Sequence, residues 1–193
     1  GGKKASPSGL SHEYITQWSY GIGETWSLLV PGVKGGASGA LPQNETAKEN
    51  PRYHEYIQTF QQLYGQLGGA TPGLSQYWGE QPGTSGPVYV GAFVFFLFVL
   101  SLFIVKGPVK WSLLAVTVLS ILLSWGHNFP AFTDWMIDNF PMYNKFRAVS
   151  SALVVAEFSI PLLATLGLAK IIAEPKLLRD KSKLFYATGG VTA

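Results

Sequence analysis

Residues 87–125 read PVYVGAFVFFLFVLSLFIV, then KGPVK, then WSLLAVTVLSILLSW. Neither apolar run, Pro87–Val105 or Trp111–Trp125, contains a charged residue. Each approaches the ~20 residues that a helix needs to cross about 30 Å of hydrocarbon. Lys106 and Lys110 flank Gly107-Pro108, a turn pair that leaves no room for a domain between the runs. The stretch is therefore expected to be a transmembrane helical hairpin, with spans at 86–105 and 111–126. Its turn, 106–110, is expected in the cytoplasm, where Lys and Arg collect.

Downstream, residues 148–173 read AVSSALVVAEFSIPLLATLGLAKIIA and make a third span. Glu157 would lie ~14 Å down a helix starting at Ala148, at about 1.5 Å per residue. That is near the middle of the hydrocarbon, where a charge costs at least ~2.5–3.5 kcal/mol. Pro161 lacks the N–H that would bond the Glu157 carbonyl. A carboxyl and a freed acceptor at membrane depth need protein or a wet cavity around them, and so further transmembrane helices of a parent protein. A structural Glu bonded to a neighbouring helix and a working acid/base or ion site are weighted equally. Lys176, Arg179, Lys181 and Lys183 follow, which puts 174–193 in the cytoplasm and both 1–85 and 127–147 outside it.

The loop GHNFPAFTDWMIDNFPMYNKFR, 126–147, mixes both charge signs with aromatics. Thr133 is expected to cap a helix over about 133–140, with Asp134 in its first turn. Trp135, Met136 and Phe140 would give that helix an interfacial apolar surface lying along the bilayer. His127, Lys145 and Arg147 are candidate ligands for an anionic lipid phosphate, Arg being suited to bidentate contact. The alternative is that the basic groups snorkel to headgroups. Anchoring is preferred for Lys145 and the phosphate role for Arg147.

Residues 1–85 are rich in Gly, Pro, Ser, Gln and Tyr, as suits a water-facing region. Gly21-Ile22-Gly23 is not a phosphate loop: Trp26 stands where a third Gly belongs, and no Gly-Lys-Ser/Thr follows. Glu24 is a lone acid among aromatics and is read as solvated. Pro31–Pro42 reads as a loop. Asn44-Glu45-Thr46 is a glycosylation sequon only in a glycosylating compartment. Over about 51–67, Tyr53, Ile57, Phe60, Tyr64 and Leu67 define an amphipathic helix, capped by Asn50, opened by Pro51 and ended by Gly68-Gly69. His54-Glu55 has no second His at metalloprotease spacing, so no metal ligands are assigned. Tyr77 and Trp78 suit the headgroup region. Glu80 sits beside it and is read either as wet or as meeting a polar ligand.

The chain has 193 residues, a net charge of +3 and no Cys, so disulfides and thiolate metal sites are excluded. Its basic residues lie beside apolar spans and not on an aromatic-laced face, which argues against nucleic acid as a partner. It opens GGKKASPSG, without an initiator Met or a signal-peptide pattern, and is read as a piece of a longer protein. The fold class expected is thus an all-α membrane protein fragment with three transmembrane helices, its principal partner the lipid bilayer.

Three segments, YITQWSYGIGETWSLLVPGVKGG, YWGEQPGTSGPVYVGA and SWGHNFPAFTDWMIDNFPMYNKFRAVSSALVVAEFSIPLLA, carry a resemblance. In order, and over most of residues 10–173, they resemble the YfhO family of bacterial polytopic membrane proteins in its Bacteroidetes form. That family resembles C-type membrane glycosyltransferases. The resemblance implies a multi-pass protein of the bacterial cytoplasmic membrane. It also implies transfer of a sugar from a polyprenyl-phosphate donor to a glycan or lipid acceptor on the outer face. The catalytic acid of such relatives lies in a first external loop that this chain does not contain, so no catalytic residue carries over and the chain alone is expected to be inactive. The chemistry needs an acid/base at the acceptor and positive charge or metal at the phosphate, which leaves room for a divalent metal in the parent protein. Arg147, Lys145 and His127 are the candidates for phosphate; Trp18, Tyr77 and Trp78 for sugar stacking; Glu80 for a polar ligand group. The alternatives are a transporter or flippase component, for which Glu157 and Pro161 would mark an intramembrane polar site, and a non-catalytic scaffold.

Overall fold

A computed structural model of the chain describes residues 10–40, 45–66, 75–83, 88–141, 143–145, 148–177, 186 and 188–190. Several sequence expectations fall outside these: Arg147, Asn44 of the sequon, Leu67, Gly68-Gly69, Pro87, and the basic residues Arg179, Lys181 and Lys183.

The described chain is predominantly helical. In order it forms α1 (His12–Ile15), a 3-10 helix (Ile22–Leu28), β1 (Gly35–Ala40), α2 (Glu45–Lys48), α3 (Tyr53–Gln66) and β2 (Ser75–Tyr77). Next come α4 (Ala92–Ile104), α5 (Pro108–Ser124), α6 (Pro130–Asn139) and α7 (Val154–Ala173), the last entered through a 3-10 turn at Val149–Leu153. The all-α expectation needs one correction, because part of the expected 31–42 loop is β1, paired antiparallel with β2. Gly35 stands opposite Tyr77 at φ +83°, and a Cβ there would lie 1.9 Å from the Gln76 carbonyl oxygen. Only glycine fits that contact.

The helix boundaries move for equally local reasons. The first apolar run is helical only from Ala92, because Gly91 sits at φ +97° and Val90 N–H turns away to donate to the Leu28 carbonyl at 3.3 Å. The second begins earlier than 111, since Gly107 at φ +100° breaks the chain and Pro108 fits the first helical position. Lys110 is thus inside α5, and its ammonium donates to the Leu102 carbonyl near the C-terminus of α4 at 2.8 Å. α6 begins at Pro130, so Thr133 is not its cap; the buried Thr133 hydroxyl donates to the Gly126 carbonyl at 2.7 Å. Trp135 and Phe140 are exposed as expected, but Met136 is buried. α3 is amphipathic as the pattern requires, with Tyr53 buried, Ile57 and Phe60 half-buried, and Asn50 Oδ1 accepting from Arg52 N–H at 2.9 Å.

One helical unit, the 25 residues Val149–Ala173, is long and apolar enough to cross a membrane; α4 and α5 are apolar but shorter, at 13 and 17 residues. α7 packs against both members of the hairpin. Its contacts combine buried Leu97, Phe98, Ile160 and Leu163 with small and polar residues. A Cβ at Gly167 would lie 1.8 Å from Ser101 Oγ, and Thr117 Oγ1 meets Ser159 Oγ at 2.6 Å. Ser120 Oγ donates to the Ala152 carbonyl at 2.6 Å and accepts from Ala156 N–H at 3.2 Å. Other large apolar side chains face outward, with Phe93, Phe103, Trp111, Phe158 and Ile172 exposed.

Residues 10–30 cover one end of this unit. Tyr20 N–H donates to the Ser124 carbonyl at 2.7 Å, and Ser150 N–H donates to the Trp18 carbonyl at 3.0 Å. Tyr20 and Leu28 join the core of the three helices with Leu97, Phe98, Leu153 and Ile160. Ile15, Ile137 and Val149 form a smaller apolar cluster beneath α1 and α6. Beyond α7, Thr188 is buried and Gly189 lies against Phe96 of α4, so this part of 174–193 runs along the helices.

Candidate functional site

The covering layer is built around Glu24, which is 0% exposed and not solvated as its sequence context suggested. Gly21 precedes the 3-10 helix, and its N–H donates back to Glu24 Oε2 at 2.7 Å, the return leg of a capping box. The ribbon delivers the second donor, because pairing with Gly35 sets Tyr77 where its hydroxyl donates to Glu24 Oε1. Glu80 N–H points at Oε2 from 3.4 Å, and Gln81 N–H donates to the Tyr77 hydroxyl at 3.1 Å. A buried carboxylate without donors costs several kcal/mol, so these three contacts are what make the position tenable. Gly79 completes the fit, since a Cβ there would stand 2.1 Å from both Glu24 Oε1 and the Tyr77 hydroxyl.

Burial pushes the Tyr77 hydroxyl well above its ordinary 10.0, and its hydrogen bond to Glu24 adds to the shift. Tyr20 is raised too, chiefly by burial, while its bond to the buried Ser27 hydroxyl opposes and the Glu24 charge assists.

A second group faces this clasp. His127 N–H donates to Ser19 Oγ at 2.9 Å, and Ser19 Oγ donates in turn to the Thr16 carbonyl at 2.7 Å. Gly126, at φ +47°, makes the approach possible, as a Cβ would meet Ser19 Oγ at 2.0 Å. His127 Nδ1 lies 3.1 Å from the same Thr16 carbonyl. A carbonyl only accepts, so this contact assigns the ring proton to Nδ1 and leaves Nε2 as the outward-facing atom. Nε2 stands 3.9 Å from Glu80 Oε2, too far for a direct hydrogen bond. Both side chains are about half exposed, at 48% and 53%.

The structure therefore brings together Tyr77, Glu80 and His127 but gives the candidate residues unlike roles. Tyr77 is buried and its hydroxyl is committed to Glu24, so its ring is not a stacking surface. Trp78 is 73% exposed. Trp18 is half-buried and holds Ser150 through its carbonyl. Lys145 lies exposed on the short turn Tyr143–Lys145 after α6. Pro161 lies within α7, and Glu157 falls in the first α-helical turn, because 149–153 is 3-10. Glu157 is exposed, nine residues into the apolar unit Val149–Ala173. Sequence reasoning missed Glu24 as the centre and Ser19 as the prop for His127; the signal for the first was the pair of Gly-Glu steps, 23–24 and 79–80, each beside aromatics. Among the described residues no three acidic or histidine side chains are grouped to hold a metal ion. No family model, no curated protein and no solved structure matches the chain, so the site rests on its own geometry.

Proposed function

We propose that this chain is part of a multi-pass protein of the bacterial cytoplasmic membrane, crossing three times through α4, α5 and α7. Its covering layer is extracytoplasmic and serves the transfer of a sugar from a polyprenyl-phosphate donor to an outer-face glycan or lipid. One observation carries the membrane reading, the large apolar side chains on the outer surface of the three-helix unit. Phe93, Phe103, Trp111, Phe158 and Ile172 face out, and the close contacts Ser101–Gly167 and Thr117–Ser159 lie among the buried Leu and Phe of the interior, as close-packed helices in lipid allow. Lys106, Lys110 and Lys176 belong to the end opposite the covering layer, in keeping with a cytoplasmic side. The transfer reading is supported by the resemblance and by a half-exposed carboxyl–imidazole pair, Glu80 and His127, at the covered end.

The chain has no Cys, which makes the topology directly testable. In spheroplasts, a membrane-impermeant maleimide is expected to label Glu55→Cys at once and Lys106→Cys only after permeabilisation. Equal labelling of both in intact spheroplasts defeats the topology. Membranes carrying the parent protein are expected to transfer radiolabelled sugar from a polyprenyl phosphate, and membranes from a deletion strain are not.

A further inference from the structure

We infer that the face of α7 around Glu157 is an interface for a further transmembrane helix, one that presents an arginine at that depth. The inference rests on the three-span reading. Ionisable side chains inside a membrane almost always face a bundle interior or a water-filled cavity. Glu157 does neither here: it is exposed, in a unit long and apolar enough to cross the membrane. Val154, one turn before it, and Phe158, next in sequence, are exposed and apolar, so its surroundings are not the polar lining of a wet cavity. Such a face becomes interior only when another helix covers it.

The chemistry of the occupant follows from what Glu157 lacks. Pro161, one turn later in α7, has no N–H to give the Glu157 carbonyl, so a carboxylate and a backbone acceptor share one turn. Among the described residues none gives the carboxylate a hydrogen bond or an ion pair. Lys170 of α7 is paired with Glu174 at 3.2 Å, and Lys110 of α5 is committed to the Leu102 carbonyl. Tyr20 lies within range of the Glu157 charge, but its hydroxyl bonds Ser27. The missing partner must therefore bring a positive charge and more than one N–H donor. Guanidinium combines these in a planar fork that is weakly hydrated, whereas ammonium is a compact and strongly hydrated point charge. Apolar side chains of the same helix would pack on Val154 and Phe158 and keep lipid and water from the pair.

The test reconstitutes the chain in phosphatidylcholine vesicles with a donor fluorophore on Lys106→Cys, the chain having no Cys of its own. The probes are synthetic Leu-Ala transmembrane helices of about 20 residues, with either Arg or Leu at the centre and an acceptor fluorophore at one end. Energy transfer is expected to show the Arg helix binding about tenfold more tightly than the Leu helix, the worth of one hydrogen bond to a charged group. Glu157→Gln removes the charge and keeps the shape, so it should abolish that advantage and leave the Leu helix unaffected. Near-UV circular dichroism confirms that the variant is folded. Equal binding of the two helices to the native chain overturns the inference, and so does an Arg advantage that survives in folded Glu157→Gln. Energy transfer between copies of the chain without peptide, lost in Glu157→Gln, gives the face to a second copy and likewise overturns it. A chain that a carbonate wash strips from the vesicles sinks the three-span reading and the interface with it. One that stays and fails to prefer Arg sinks the interface alone.

Discussion

The phenol of Tyr77 donates a buried hydrogen bond to the carboxylate of Glu24 across 53 positions of sequence. This contact, rather than any exposed ion pair, fixes the 75–83 segment over the end of the helices. Replacing Tyr77 by Phe keeps the ring and removes the donor. A hydrogen bond to a charged acceptor contributes about 1.5–3 kcal/mol, so thermal melts in detergent followed by near-UV circular dichroism should show Tyr77→Phe clearly destabilised. The surface pair His12–Asp134, at 3.2 Å with both partners about half exposed, is the control. Asp134→Asn there should change stability by less than about 1 kcal/mol.

The same hydroxyl sets an alkaline limit. In the unfolded chain a phenol loses its proton near pH 10, whereas the buried Tyr77 and Tyr20 keep theirs to higher pH. Between those values the unfolded state binds fewer protons, so stability falls as pH rises. Below pH 10 the contribution is intact. The tyrosinate absorbance lost in Tyr77→Phe is expected to appear only above about pH 10, together with loss of near-UV ellipticity. The alkaline slope of stability should be shallower in that variant.

Two glycines with similar backbone angles should respond differently to Ala. Gly32, at φ +71°, has nothing within 4 Å of an added Cβ. Gly32→Ala should cost about 1–2 kcal/mol, the left-handed penalty alone. Gly35, at φ +83°, would drive its Cβ into the Gln76 carbonyl at 1.9 Å. Gly35→Ala is expected to part β1 from β2 and release Tyr77, read as rapid proteolysis within 75–83 at a temperature where Gly32→Ala resists.

Within the helical unit, Gly167 and Ser101 occupy one another's space, so Gly167→Ala should cost about 1–3 kcal/mol through overpacking. Because the clash is with Ser101 Oγ at 1.8 Å and its Cβ at 2.8 Å, Ser101→Gly should recover much of that loss. A double-mutant cycle measured by detergent-induced unfolding gives the coupling directly. Additive effects would show that α4 and α7 do not meet at this pair.

The helices were legible because their apolar runs are long and uninterrupted, and Gly107-Pro108 marks a break by backbone chemistry alone. Their ends were less so: Gly91 stops α4 short through a positive φ that an apolar context hides. The ribbon was invisible, since GGASGA lacks the branched or aromatic residues that signal a strand, and it exists because glycine lets two backbones approach. Glu24 was misread for a related reason. Its three donors come from Gly21, Tyr77 and Glu80, two of them more than fifty positions away, and no local pattern encodes that meeting. Glu157 was legible as a carboxyl in an apolar helix, but its exposure was not, since that depends on which face of α7 meets α4 and α5.

Residues 18–20 touch the start of α7 through Trp18 and the end of α5 through Ser19 and Tyr20. Their partners, Ser124, His127 and Ser150, are synthesised more than a hundred positions later. Closing loops of that length is slow, and contacts of high sequence separation form late. Residues 18–20 thus leave the ribosome well before their partners and settle late. Until α4, α5 and α7 have come together, the aromatic side chains of residues 18–20 have no surface to cover. Translation arrested before Ser150 should leave residues 18–20 without the Trp18–Ser150 contact and open to proteolysis.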